Sequence, residues 1–215
     1  MMNIPLFNQW DARWGSKRLG TSPYTMANSG CYVTSITMML HNFAVFLDPG
    51  QVCDKLNSVN AFDVNGLLTY DGLMRAWPQL SFYERLYSTN DPSNNVQKVA
   101  ISEVIRRVQR RLKLGLPSVL CVDNLANDGI PDHAVLLINE DWTIHDPDGG
   151  RLIKFQDKYG DPLKKLYGCV SVIGPPINVP NGGLPQEGQA VFMLSQAKRG
   201  INKDNYLRNS LDVLM

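Results

Sequence analysis

The feature that most constrains the fold is a change of hydrophobic period partway along the chain. Up to about residue 113 the apolar residues recur at helical spacing. Val33, Ile36, Leu40 and Phe43 form one such stretch, and Val104, Ile105, Val108 and Leu112 form another. Gly115 stops the second helix and Pro117 prevents its continuation. Short apolar runs then take over, and 118–122, 133–138, 142–146, 151–155 and 169–173 read as strands. Asn139-Glu140-Asp141 and Pro147-Asp148-Gly149-Gly150 between them are turn sequences. Helices first and an antiparallel sheet second predict an α+β fold.

Within the helical half, Asp48-Pro49 pairs an N-cap with a proline at the first helical position, so a helix is expected over about 49–57. A third helix is expected over about 67–77, ending at Pro78, and the longest over about 97–113. Residues 15–29 are loop-rich, and 81–87 read as a strand. From Gly174 the composition shifts: Pro175-Pro176, Pro180-Asn181-Gly182-Gly183 and Pro185 read as a linker. Tyr206, Leu207, Leu211 and Leu214 then make an apolar stripe at helical spacing. Two regions follow: a domain over 1–174, and a linker with a helical extension over 175–215 that could dock a protein partner.

Composition excludes several classes. The chain has 215 residues, 44% of them hydrophobic, which is enough for one sizeable core. A formal net charge of +1 gives no overall field for nucleic acid or an anionic membrane. The run Arg106-Arg107-Val108-Gln109-Arg110-Arg111 reads as the solvated face of a helix. No apolar run is long enough to span a bilayer, and Met1-Met2-Asn3-Ile4-Pro5 does not read as a signal peptide, so the expected location is cytoplasmic. Cys31, Cys53, Cys121 and Cys169 are scattered with no Cys-x-x-Cys pair. That spacing argues against a zinc site or a disulfide scaffold, and Cys53, Cys121 and Cys169 read as core residues.

Cys31 is different. It follows Gly30 and opens the first helix, with Ser29 and Gly30 available as caps. A helix N-terminus favours negative charge, so a thiol there ionises more readily and becomes a better nucleophile. Such a nucleophile needs a base, a group to orient that base, and donors for an oxyanion. The chain has three histidines, His41, His133 and His145. His133 begins a strand beside a polar loop, and Asp146 ends the next strand. If the two strands pair as a hairpin, His133 and Asp146 meet at its open end, where the carboxylate fixes the imidazole tautomer. His145 alternates onto the opposite sheet face and His41 lies late in the first helix, so both are poorer bases. Gln9, in an early turn with Trp10 and Trp14, carries an amide able to donate to an oxyanion. The two tryptophans read as packing residues.

Taken together, Gln9-Trp10-Asp11-Ala12-Arg13-Trp14, Gly30-Cys31, Asp132-His133-Ala134-Val135-Leu136 and His145-Asp146-Pro147-Asp148-Gly149-Gly150 resemble the C39-like cysteine peptidases of the papain superfamily, in both motif and order. The resemblance covers about residues 4–173. It implies a papain-like fold, a helical half followed by an antiparallel sheet half, with the active-site cleft between them. It implies Cys31 as nucleophile, His133 as general base and then acid, Asp146 as its orienting group, and Gln9 with the Cys31 N–H as oxyanion donors. It implies no metal or organic cofactor, and a peptide or peptidoglycan-type substrate. Asp132 stands where a glycine often precedes the histidine, and Tyr32 where a small residue often follows the cysteine, so substrate preference does not carry over. The alternatives are a peptidoglycan-cleaving lysin-type amidase or endopeptidase, a non-catalytic binding or assembly module on the same scaffold, and acyl transfer or deamidation by the same three groups.

Overall fold

Residues 118–122 and 133–137 are apolar without alternation because both faces of their strands are covered. Val119, Ala134 and Leu136 point to one side, where they join a cluster with Val33, Ile36 and Leu40. Leu120, Val122, Val135 and Leu137 point to the other, where they join Val104, Val108 and Leu112. The structure, a computed structural model, describes residues 4–92, 97–124 and 131–173. Its helices are α1 (Met26–Ser29), α2 (Cys31–His41), α3 (Pro49–Ser58), α4 (Tyr70–Ala76), α5 (Ile101–Lys113), α6 (Phe155–Tyr159) and α7 (Pro162–Lys165). Its strands are β1 (Ser81–Ser88), β2 (Lys98–Val99), β3 (Ser118–Val122), β4 (His133–Leu137), β5 (Thr143–Asp146), β6 (Arg151–Lys154) and β7 (Leu166–Ile173).

All seven strands form one sheet, in the order β2-β1-β7-β3-β4-β5-β6. The fold is α+β, as the change of period predicts, but the sheet is mixed rather than antiparallel. β1 and β2 pair in parallel, Tyr87 opposite Lys98 and Ser88 opposite Val99. Lys98 and Val99, expected within the first turn of the long helix, form this edge strand instead. The sheet is also not confined to the second half, since β1 and β2 precede α5. Among the described residues no helix is long and apolar enough to cross a membrane. The expected linker and helical extension over 175–215 lie outside the described residues.

α2 is the helix that places the site. Val33 to Leu40 are all buried, and Ile36, Met38, Met39 and Leu40 are completely so. Each such side chain contributes about 1.5–3 kcal/mol by leaving water. Ser35 Oγ donates to the Ala134 carbonyl at 3.0 Å, which ties α2 to the start of β4. At the other end of the helical half, Asp48 caps α3 by accepting the Gln51 N–H, and Gln51 bonds back to the Asp48 N–H. α5 covers the far face of the sheet. Arg106 and Arg107 pair with Glu103 on its exposed side. Arg111 departs from the solvated-face reading: it is buried, with Nε donating to Ser118 Oγ at 3.3 Å.

Gly30 joins α1 to α2. Its N–H donates to the Met26 carbonyl at 2.8 Å, and it is the N-cap residue of α2. A Cβ at this position would lie 2.3 Å from that same carbonyl oxygen, a backbone atom with no freedom to turn away. Gly30→Ala should therefore lower unfolding stability by about 1–3 kcal/mol, the range for forced overpacking. Urea unfolding followed by circular dichroism checks this, and an unchanged midpoint would refute it.

Candidate active site

Cys31 is the first residue of α2 and sits half-buried at the helix start, while the turns behind it are sealed in the core. Its side chain lines the same groove as the His133 ring, close enough to act on the charge of that ring. His133 opens β4, opposite Val122 of β3, and is 8% exposed. Its Nε2 donates to Asp146 Oδ1 at 2.8 Å. With Nε2 occupied, Nδ1 is the ring nitrogen left to face sulfur. β4 and β5 pair as the expected hairpin, which is what brings His133 and Asp146 to one end.

Asp146 is fully buried and accepts from four donors. Oδ1 takes His133 Nε2 and, at 2.9 Å, the backbone N–H of Asp148. Oδ2 takes Lys158 Nζ at 2.7 Å and the Tyr159 hydroxyl at 2.8 Å. Burial opposes the charge, but the His133 and Lys158 contacts outweigh it and hold the carboxyl well below the usual carboxylate range. The same balance acts on the ring. Burial disfavours the imidazolium, while the bond to Asp146 and the neighbouring Cys31 favour it, and the net effect raises His133 to about 9. Burial and the neighbouring carboxylate push the Tyr159 hydroxyl above its ordinary value, so it stays protonated and donates. Lys158 also bonds Asp148 Oδ2 at 2.9 Å. Two carboxylates therefore share one ammonium, and the remaining negative charge falls to the His133 ring.

Gln9 approaches from the other side. Its backbone N–H donates to the Pro147 carbonyl at 3.0 Å, in the turn that follows Asp146. Its side-chain Nε2 donates to the carbonyl of Ala27, in α1, at 2.9 Å. One amide hydrogen remains, and Oε1 has no hydrogen-bond partner among the described residues. Gln9 is buried, Trp14 is buried with Nε1 donating to the Asn8 carbonyl, and Trp10 is 60% exposed.

These residues border a groove of about 640 Å³. Gln9, Trp10, Cys31 and His133 line one part of it, and Tyr32, Arg85, Tyr87 and Cys121 another. Cys121 is thus not a plain core residue. It is half-buried on the groove, and burial pushes its thiol up to about 11. Cys53 and Cys169 are buried as expected. His145 is turned away, with Nδ1 3.2 Å from the Pro5 carbonyl, and His41 ends α2 with Nε2 2.9 Å from the Leu47 carbonyl. The structure therefore brings together Cys31, His133 and Asp146 and sets Gln9 on the same groove. Lys158 and Tyr159 were not legible: they stand on α6, a five-residue helix with no readable period. Among the described residues no group of three or more His, Cys, Asp or Glu side chains is placed to hold a metal ion. No family model, curated protein or solved structure matches the chain.

The raised value of His133 has a sign for stability. A folded value of about 9, above the ordinary 6.5, means that its contribution is complete below about 6.5 and lost as pH rises through about 9. Asp146 is the main upward influence on the ring, so Asp146→Asn should bring the His133 titration down toward or below about 6.5. NMR titration of the ring protons checks this, and a value still near 9 in the variant would contradict it.

Proposed function

We propose that the protein is a papain-like cysteine peptidase or amide hydrolase, akin to the C39-like enzymes its motifs resemble. The observation that carries this reading is the 2.8 Å bond from His133 to buried Asp146, with Cys31, His133 and Gln9 lining one groove. The raised value of His133 favours the imidazolium, so Cys31 reacts as the thiolate of an ion pair with the ring, and the sulfur attacks an amide carbonyl carbon. The electron pair displaced from the C=O bond collects on oxygen, where the Cys31 N–H and the remaining Gln9 Nε2 hydrogen can donate to it. As the tetrahedral species collapses, the C–N bond breaks and the imidazolium protonates the leaving amine. A thioester remains. His133 then deprotonates a water, which attacks the same carbon, and the sulfur departs as the thiolate, restoring the ion pair. Asp146 keeps Nε2 protonated and the ring fixed throughout, as the orienting carboxylate of a triad does. Lys158 and Tyr159 are positioning residues that hold Asp146.

Labelling with iodoacetamide across pH, with the modified cysteine located by mass spectrometry, tests the nucleophile. Cys31 should label first, ahead of buried Cys53 and Cys169 and half-buried Cys121. Cys53→Ser should leave that labelling unchanged, and Cys31→Ala should abolish hydrolysis of a peptide library while keeping the fold. Dominant labelling at another cysteine, or full activity in Cys31→Ala, would remove the proposal.

A further inference from the structure

The register of the sheet extends the groove away from His133. On the α2 side, Ala134 of β4 lies opposite Cys121 of β3, Cys121 opposite Gly168 of β7, and Gly168 opposite Tyr87 of β1. Cys121, Gly168 and Ala134 all border the groove, and at two of these positions there is little or no side chain to fill it. Three strand spacings separate β4 from β1, about 14 Å, a distance that an extended peptide covers in about four residues. Arg85 stands at that far end. It is exposed, lies opposite Val170, and holds its guanidinium 5.4 Å from the centre of the Tyr87 ring.

Arg85 forms no ion pair with any carboxylate among the described residues. Of the three carboxylates that line the groove, Asp148 pairs with Lys158, Asp132 accepts the Asn124 N–H at 2.7 Å, and Asp91 is buried. Stacking on an aromatic face orients a guanidinium while leaving its N–H fork open, the geometry that receives a carboxylate side-on.

We propose that the groove selects substrates bearing a carboxylate within about four residues of the attacked bond, and that Arg85 is the group that receives it. The inference rests on the groove being the substrate site. The carboxylate can come from a glutamate or aspartate side chain or from a free chain terminus, and the probes separate the two. They are fluorescein-labelled alanine-rich peptides carrying Glu, Gln or Lys at successive positions, each with a free or an amidated C-terminus. Binding is read by anisotropy to the full chain carrying Cys31→Ala, so that no turnover is required.

At one or more positions the Glu peptide should bind at least about fivefold more tightly than its Gln partner, as a charge-assisted contact at a partly exposed wall allows. If instead the free terminus carries the preference over the amide, the source is the chain end. Adding Arg85→Gln should abolish the preference, Arg85→Glu should reverse it toward Lys peptides, and Arg85→Lys should restore part of it. Because Arg85 is exposed, these variants should melt with the parent. A Glu-to-Gln ratio within twofold, a preference that survives Arg85→Gln, or no binding of any peptide would overturn the proposal. Hydrolysis is scored separately in the chain with Cys31 intact. Its absence beside an intact carboxylate preference would sink the peptidase reading alone. Equal turnover of acidic and neutral peptides would sink this one alone.

Discussion

A fully buried carboxylate is the constraint on which the rest of the site depends. Taking an ion such as Asp146 out of water costs several kcal/mol unless its lone pairs are answered. Four donors answer them here, and they come from separate places: the first residue of β4, the turn after β5, and two neighbours on α6. None of these elements can shift alone without exposing the charge to an apolar interior. The bond to His133 then determines which ring nitrogen carries the proton and which is free to face sulfur. A short helix that looks like a connector between β6 and β7 is thereby part of the support for the imidazole.

The sulfur is held by different means. α2 is anchored by apolar burial rather than by charge, and its position against β4 is pinned by the bond from Ser35 to the Ala134 carbonyl. Gly30 allows α1 to approach so closely that Cys31 begins a helix without an intervening loop. The N-terminal segment joins the two systems. Gln9 donates through its backbone to the turn that follows Asp146 and through its side chain to Ala27 in α1. One residue thus ties the turn after β5 to α1, and that residue also lines the groove.

Much of this was legible in the sequence, for physical reasons. Continuous apolar runs mark strands covered on both faces, so β3 and β4 could be read directly. The three-residue turn 139–141 between two strands implied a hairpin, and hairpin pairing alone brings His133 and Asp146 together. Asp48-Pro49 announced α3 because capping chemistry is local. What could not be read depends on distant partners. The parallel pairing of Lys98 and Val99 with β1 is set by tertiary contact over a stretch that would otherwise extend α5. Arg111 lies in a run of charges that looks solvated, yet the sheet supplies Ser118 and, behind it, Ser171. Lys158 and Tyr159 occupy a helix too short to show a period, and their role exists only because Asp146 lies beneath them.

The polar groups around the groove divide into two kinds. Beside His133 the acceptors of Asp146 are filled and the ammonium of Lys158 is shared, so that end is rigid and offers little to a ligand except the ring and the sulfur. The Arg85 fork instead stands exposed on the groove with no ion-pair partner among the described residues, while Gln9 Oε1 is buried and unpaired. Chemistry gains from the first condition, since reacting groups held by saturated bonds need no reorganisation when charge develops. Recognition gains from the second, since an unanswered donor or acceptor discriminates strongly between ligands that complete it and those that do not. Spatial separation of the two leaves the Asp146 network untouched by a change at β1. A substitution at Arg85 is three strand spacings away from the nearer strand of the hairpin that carries it.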